Sequence, residues 1–320
     1  MKITNEILDA INRADTVLVC GHIRPDGDCI GSALAMRRIC ERLGKKADAV
    51  CDAEDKPEQF AFLPDYDKFC VSRFEKYDLF IAVDCATEKR LGAYRSKLLK
   101  AKNSIYIDHH PSAERYANIN YIDPSASSTC AIIYEIFDAA GLIDKETATM
   151  LYTGLSTDTG HFMHSNTDAK VFGIAQGLCK YGIDVGDINH SVYCNRSPQK
   201  IKLMSRVLDG IRFYEDGKIS VMTITLDDLS ASGCGADDTE GLIDFAKSVS
   251  GVEIAVSVCE QPNATFRVSY RSVRADVSKA AAVFGGGGHK LAAGCIISGN
   301  RYDVIEKVIS AAKTVLREIG

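Results

Sequence analysis

Four short apolar runs mark the first third of the chain: "TVLVC" (16–20), "ADAVCD" (47–52), "DLFIAVD" (78–84) and "NSIYID" (103–108). Each is a short β-rich run, too short for a helix, so each reads as a strand. Between the first two lies "IGSALAMRRICERLG", where Ile30, Ala33, Leu34, Cys40 and Leu43 share one helical face and Gly44 offers a stop. The order βαβαβ calls for a doubly wound parallel sheet with helices on both faces. In such sheets ligands bind beyond the carboxyl ends of the strands.

The chain is 320 residues long, more than one ordinary core accommodates. From about 125 to 209 the pattern is helical, through "SSTCAIIYEIFDAAGL", "KETATMLYTGLSTDTG", "TDAKVFGIAQGLCKYG" and "SPQKIKLMSRVL". The texture then changes. "GIRFYEDGKISVMTIT" reads as a hairpin around Asp216 and Gly217, and "GVEIAVSVCEQPNATFRVSYRS" as a second hairpin. "DVSKAAAVF" reads as a helix, followed by a glycine run, the strand "AAGCIISG" and a final helix over 301–319. The expected architecture is α/β: a parallel-sheet domain (1–185), a helical connector (186–209) and a smaller α+β domain (210–320).

Composition narrows the function. The chain is 46% hydrophobic and 25% charged, as in ordinary globular proteins, and carries a net charge of −5. A protein that wraps a long duplex presents a basic face, so any anionic partner is expected to be small or bound at its end. No apolar run approaches the ~20 residues of a membrane helix. The N-terminal "MKITNEILDAINRADT" lacks the apolar core and cleavage site of a signal peptide, so the cytoplasm is the expected compartment. The twelve cysteines include no CxxC pair, and several (Cys20, Cys70, Cys179, Cys259) sit in apolar runs. They are read as reduced thiols that mostly fill the core, not as disulfides or zinc ligands.

Acids and histidines gather where strands end. His22, Asp26 and Asp28 follow the first strand, Asp84 ends the third, and Asp108, His109 and His110 end the fourth. Asp158 lies at a helix end or loop. Each alone reads as a turn or cap residue. Together they crowd a crevice with carboxylates that repel one another unless a cation sits among them. Asp26, Asp28, Asp84 and Asp158, with His22 and His109, suit two divalent ions. Oxygen with some nitrogen and no thiolate favours manganese-like or magnesium-like ions over structural zinc. Two such ions ~4 Å apart form a clamp for phosphoryl displacement by water.

"HIRPDGDCIGS", "VDCAT", "DHHPS" and "STDTGHF" resemble, in order, the four signature segments of the DHH phosphoesterase family. "FGGGGHKLAAG" resembles the glycine-rich signature of the domain that usually follows the catalytic one. The resemblance covers essentially the whole chain. An Arg-Pro-Asp first motif with "DHHP" implies the members that cleave very short RNAs and remove the 3′-phosphate of adenosine 3′,5′-bisphosphate. It implies one ion held by His22, Asp26 and Asp84, and a second held by Asp28, Asp84, His109 and Asp158, with Asp84 bridging. Manganese is the expected metal, with magnesium or cobalt as substitutes. His110, Asp84 and Asp108 form the implied catalytic set: His110 faces the scissile phosphate, and Asp108 orients the neighbouring histidines.

Alone, the run Gly285–Gly288 with His289 and Lys290 reads as a flexible helix terminator; it fits neither a P-loop nor a dinucleotide fingerprint. Consecutive glycines also let backbone N–H groups converge on an anion. With the resemblance, Gly286, Gly287, Gly288, His289, Lys290 and the planar fork of Arg271 become the expected substrate-binding set. The first domain is expected to cut and the second to grip, with the crevice between them limiting substrate length. His161, His164 and His190 are read as surface or packing residues. Sister activities share these motifs: cleavage of the linear dinucleotide pApA or of cyclic di-AMP is the main alternative. An inorganic pyrophosphatase or a non-catalytic nucleotide-binding protein is the lesser one. The expected partner is short single-stranded RNA or a small nucleotide, with no membrane and no long duplex; a homodimer is left open.

Overall fold

The apolar runs form β1 (Thr16–Cys20), β2 (Lys46–Val50), β3 (Leu79–Val83) and β4 (Asn103–Asp108), joined by β5 (Ile119–Ile122). They make one fully parallel sheet in the order β2-β1-β3-β4-β5. The computed structural model describes residues 2–51 and 56–319; Asp52, the end of the second expected run, lies outside the described residues. The chain divides into two compact units, Met1–Asn195 and Arg196–Gly320. Of the segment 186–209, the part up to Asn195 therefore belongs to the first unit and the rest to the second.

Side chains alternate between the faces of a strand, so a sheet covered on both sides needs unbroken apolar strands. Val17, Val19, Ile81, Val83, Ile105 and Ile107 point to one face. There they meet α1 (Lys2–Arg13), α2 (Gly27–Arg42), and the helices beyond the sheet, α4 (Thr129–Phe137) and α5 (Lys145–Asp158). Leu18, Cys20, Phe80, Ala82 and Tyr106 point to the other, under Leu91 and Leu98 of the segment that ends in α3 (Arg95–Lys100). Two further α-helices, α6 (Ala169–Cys179) and α7 (Val185–Asn189), follow in the same unit. Cys179 corrects one expectation: it is exposed, because it falls on the outer face of α6, whereas Cys20 and Cys259 are buried.

The second unit begins with α8 (Pro198–Asp209), started by the Ser197 side chain, which accepts a hydrogen bond from the Lys200 N–H. Its sheet contains β6 (Arg212–Tyr214), β7 (Ile219–Ile224), β8 (Ile254–Gln261), β9 (Thr265–Ser272), β10 (Gly287–His289) and β11 (Ala292–Ser298). The order is β10-β11-β9-β8-β7-β6, antiparallel except for β7 with β8. That parallel pair requires a crossover, which α9 (Leu226–Ser232) and α10 (Leu242–Lys247) supply. Val256, Val268 and Tyr270 pack against α11 (Val277–Ala282) and α12 (Arg301–Arg317). Met222, Ile224 and Ala255 pack on the opposite side with α8 and α10. No helix among the described residues is long and apolar enough to cross a membrane.

Candidate active site

The loop after β1 is built to start a helix and hold ligands at once. Asp26 caps α2, its Oδ1 accepting the N–H groups of Asp28 and Cys29 at 3.1 Å each. Its other oxygen, Oδ2, lies 3.9 Å from His22 Nε2 on a side chain that is 62% exposed. Asp28 is buried in the first turn of α2, where the N-terminus of α4 meets it: its oxygens accept Thr129 N–H at 2.7 Å and Cys130 N–H at 2.9 Å. Gly154 makes this meeting possible. A Cβ there would collide with Cys130 Sγ and Asp28, so only glycine lets α5 approach.

Asp84 stands at the centre. It follows β3 with φ +51°, a left-handed conformation that turns its buried carboxylate back over the strand ends. Oδ2 lies 3.6 Å from His22 Nε2, and Oδ1 lies 3.7 Å from His109 Nε2 and 3.7 Å from His110 Nδ1. His109 Nε2 also lies 3.4 Å from Asp158 Oδ2, at the last residue of α5. The Nδ1 of His22 lies 2.7 Å from the Ile23 carbonyl; a proton on that nitrogen leaves Nε2 as a lone-pair donor toward the carboxylates.

Asp108 is taken up by hydrogen bonds to its neighbours. Its Oδ2 accepts the Tyr106 hydroxyl, and its Oδ1 accepts both the His110 N–H at 2.7 Å and His110 Nδ1–H at 2.6 Å. Burial disfavours the His110 imidazolium, yet the bond to Asp108 and the charge of Asp84 outweigh it and bring its pKa to about 9. Nε2 of that ring is left to donate.

The carboxylates divide sharply. Burial works against Asp84, but His22, His109 and His110 hold it down to about 2. Asp158 is pushed up to about 8 by burial and by the charges of Asp84 and Asp26. Asp28 rises well above the ordinary range through burial, Asp84 and Asp158. Such a cluster stays fully ionised only with positive charge among its oxygens. Among the described residues, ligating atoms within 4.8 Å of one another form three groups: Asp28, His109 and Asp158; His22, Cys29 and Asp84; and Asp84, Asp108, His109 and His110. This donor set fits divalent cations of the manganese or magnesium kind. Cys29 is otherwise engaged: its sulfur accepts the His22 N–H at 3.2 Å, and burial raises its thiol far above neutrality.

The structure thus brings His22, Asp26, Asp28, Asp84, Asp108, His109, His110 and Asp158 together at the carboxyl end of one sheet. His161 packs against Tyr193 with the rings tilted at 51° and their centroids 4.6 Å apart, and His190 is exposed. Thr129, Cys130 and Tyr106 touch the cluster but were not singled out from the sequence; the Ser-Ser-Thr start of α4 was the only local sign.

In the second unit, Gly285 (φ +72°) ends the turn after α11, and the glycines that follow become an edge strand. A Cβ on Gly286 or Gly288 would collide with β11 backbone, so glycine is what allows β10 to lie there. His289 pairs with Ala292, and Ala292 with Arg271, placing Arg271 and His289 on one sheet face with a small residue between them. Gly287, Gly294 and Ser269 form the adjacent row on that face. Lys290 is exposed in the turn beyond His289.

The model of the N-terminal domain of the DHH family matches residues 16–155, and that of the DHHA1 domain matches residues 217–318. The chain is 30% identical to the bifunctional oligoribonuclease and PAP phosphatase NrnA of Thermus thermophilus, over 100% of this chain and 95% of that protein. It is 27% identical to the protein of the same name from Bacillus subtilis, over 98% of each. Among solved structures, an exopolyphosphatase-related protein from Bacteroides fragilis superposes with a TM-score of 0.91 at 25% identity, over 98% of this chain and 96% of the other.

Proposed function

The chain belongs to the DHH family, and on that premise we propose that it is a phosphoric ester hydrolase acting on very short oligoribonucleotides and on the 3′-phosphate of adenosine 3′,5′-bisphosphate. The observation that carries this reading is the convergence of three imidazoles on the two oxygens of Asp84, within 3.7 Å. An ordinary turn aspartate has no use for such a setting.

His22, Asp26 and Asp84 would hold one divalent cation, and Asp28, Asp84, His109 and Asp158 a second, with manganese preferred. When bound, these ions supply Lewis acidity, which withdraws charge from the phosphate and acidifies water. The chain's own residues do the rest. Asp108 fixes the His110 ring through Nδ1 and keeps it protonated. His110 Nε2–H is then a donor to the oxygen that leaves phosphorus, or to the charge that grows on the phosphoryl group. Breaking the P–O bond with water yields a phosphate monoester and an alcohol, or inorganic phosphate and a nucleoside monophosphate.

The second unit serves substrate binding. Arg271 and His289 stand on either side of Ala292, next to a row of small residues, a surface suited to a terminal phosphate beside a flat base. Gly286, Gly287, Gly288 and Lys290 complete it. Short RNAs and free nucleotides are cytoplasmic, so that is the compartment proposed for the enzyme.

One turnover panel with manganese tests the reading: di- to pentaribonucleotides, pApA, cyclic di-AMP, adenosine 3′,5′-bisphosphate and pyrophosphate. Hydrolysis of the dinucleotides and of the bisphosphate is expected. Turnover confined to pyrophosphate or to cyclic di-AMP overturns it.

A further inference from the structure

We propose that Thr129 is a positioning residue that sets the carboxylates of Asp84 and Asp28 together for cation binding. This rests on the reading of the site as a cation site. Thr129 is fully buried at the first position of α4. Its hydroxyl donates to Asp84 Oδ1 at 3.0 Å, and its backbone N–H donates to Asp28 Oδ2 at 2.7 Å. One residue therefore holds a carboxylate that follows β3 and another on α2, 45 and 101 positions away in the chain.

The two bonds differ in what they control. Asp28 has a second anchor, the Cys130 N–H at 2.9 Å on its other oxygen, so the helix N-terminus fixes it whatever side chain stands at 129. Among the described residues, no backbone N–H anchors the Asp84 carboxylate in the same way. Its backbone N–H donates to the Ile107 carbonyl, which fixes the main chain but not the carboxylate. His22, His109 and His110 surround that carboxylate at 3.6 to 3.7 Å, farther off than the Thr129 hydroxyl. The Thr129 hydroxyl is its close side-chain donor among the described residues. A carboxylate that presents one oxygen to His22 and the other to His109 must keep its plane from rotating. A hydroxyl bonded to Oδ1 supplies that restraint, and Thr129, β-branched and buried, has few rotamers through which to release it. Removing such a supporting bond from a ligand typically weakens metal affinity or activity by about 10- to 100-fold.

The test is manganese binding to the metal-stripped full chain, followed by calorimetry with no substrate present. Thr129→Val keeps the shape and the backbone N–H and deletes the hydroxyl. It is expected to bind manganese at least about tenfold more weakly than the parent. Thr129→Ser returns the hydroxyl and is expected to recover most of that loss, which a purely structural role for the methyl group would not allow. Should the valine variant fail to fold, as judged by circular dichroism, Thr129→Ala takes its place in the comparison. Parent-like binding in the folded hydroxyl-free variant, or no recovery with serine, overturns the role of Thr129. A parent protein that binds no manganese overturns the cation reading itself, and the proposal with it.

Discussion

Nδ1 of His110 lies 2.6 Å from Oδ1 of Asp108, whose other oxygen is taken by the Tyr106 hydroxyl. Asp108 is fully buried, so its charge is spent on the imidazole beside it and not on solvent.

From this pairing, His110→Ala is expected to lower kcat by about 100-fold or more, the scale of a lost acid catalyst, while binding manganese as the parent does. Asp108→Asn should lower kcat less, since the ring remains but its proton is no longer supported. Calorimetry beside steady-state kinetics separates the two effects. Equal loss of manganese binding and turnover in His110→Ala would place the residue among the ligands instead.

Asp84 belongs to both proposed ion sites, so Asp84→Asn should weaken cation binding at each. A loss of at least ~1,000-fold in turnover, about 4 kcal/mol of barrier, is expected with the fold intact. Chelator-treated parent protein should be inactive and recover best with manganese. Activity in the stripped parent, or near-normal turnover in the variant, counts against Asp84 as the centre of the site.

Arg271 lies in the other unit, and none of the proposed metal ligands changes when it is replaced. Arg271→Ala is expected to raise KM for dinucleotides, with a drop in kcat where remote binding serves the chemical step. Lysine should not restore the bidentate fork. Bis-p-nitrophenyl phosphate has no remote phosphate, so its hydrolysis should be nearly unchanged. Equal losses on both substrates would remove Arg271 from substrate binding.

Asp144 ties the two helices that carry Asp28 and Asp158. It caps α5 by accepting the Thr147 N–H at 2.9 Å, and it accepts Arg38 Nε from α2 on both oxygens at 3.0 Å. Although burial opposes it, the bonds from Arg38 and Thr147 hold its pKa well below the usual carboxylate range. A pKa lower in the folded than in the unfolded chain stabilises above the unfolded value, near 3.9 for an ordinary aspartate, and that contribution fades as pH falls through the folded value. Asp144→Ala should therefore cost about 2 kcal/mol at neutral pH, measured by urea unfolding, and progressively less below about pH 4. A pH-independent difference would show that the carboxylate charge contributes nothing.

Much of the first unit was readable in advance. The centres of β1, β3 and β4 (Val17–Cys20, Leu79–Val83 and Ile105–Ile107) are apolar without interruption because both faces of their sheet are covered, and that pattern is set within a few neighbouring residues. The acids and histidines that end them are legible for the same reason: in a parallel sheet all carboxyl ends face one way. β5 escaped notice. Its "INYI" is only partly buried at the sheet edge, so nothing local separates it from a loop. The edge strand Gly287–His289 escaped likewise, since a glycine run carries no strand signal and its state depends on pairing with β11.

What local pattern cannot carry is which side chains meet across the chain. Whether the Thr129 hydroxyl reaches Asp84, whether two amides of α4 grip Asp28, and whether Arg38 finds Asp144 across 106 positions depend on how helices pack on the sheet. Strand and helix periodicity follows from backbone geometry between neighbours and is written residue by residue. The donor that orients a carboxylate and the burial that shifts its pKa arise only when distant segments exclude water from the same small volume. The residue types of the site belong to the first kind of information; their protonation, orientation and mutual support belong to the second.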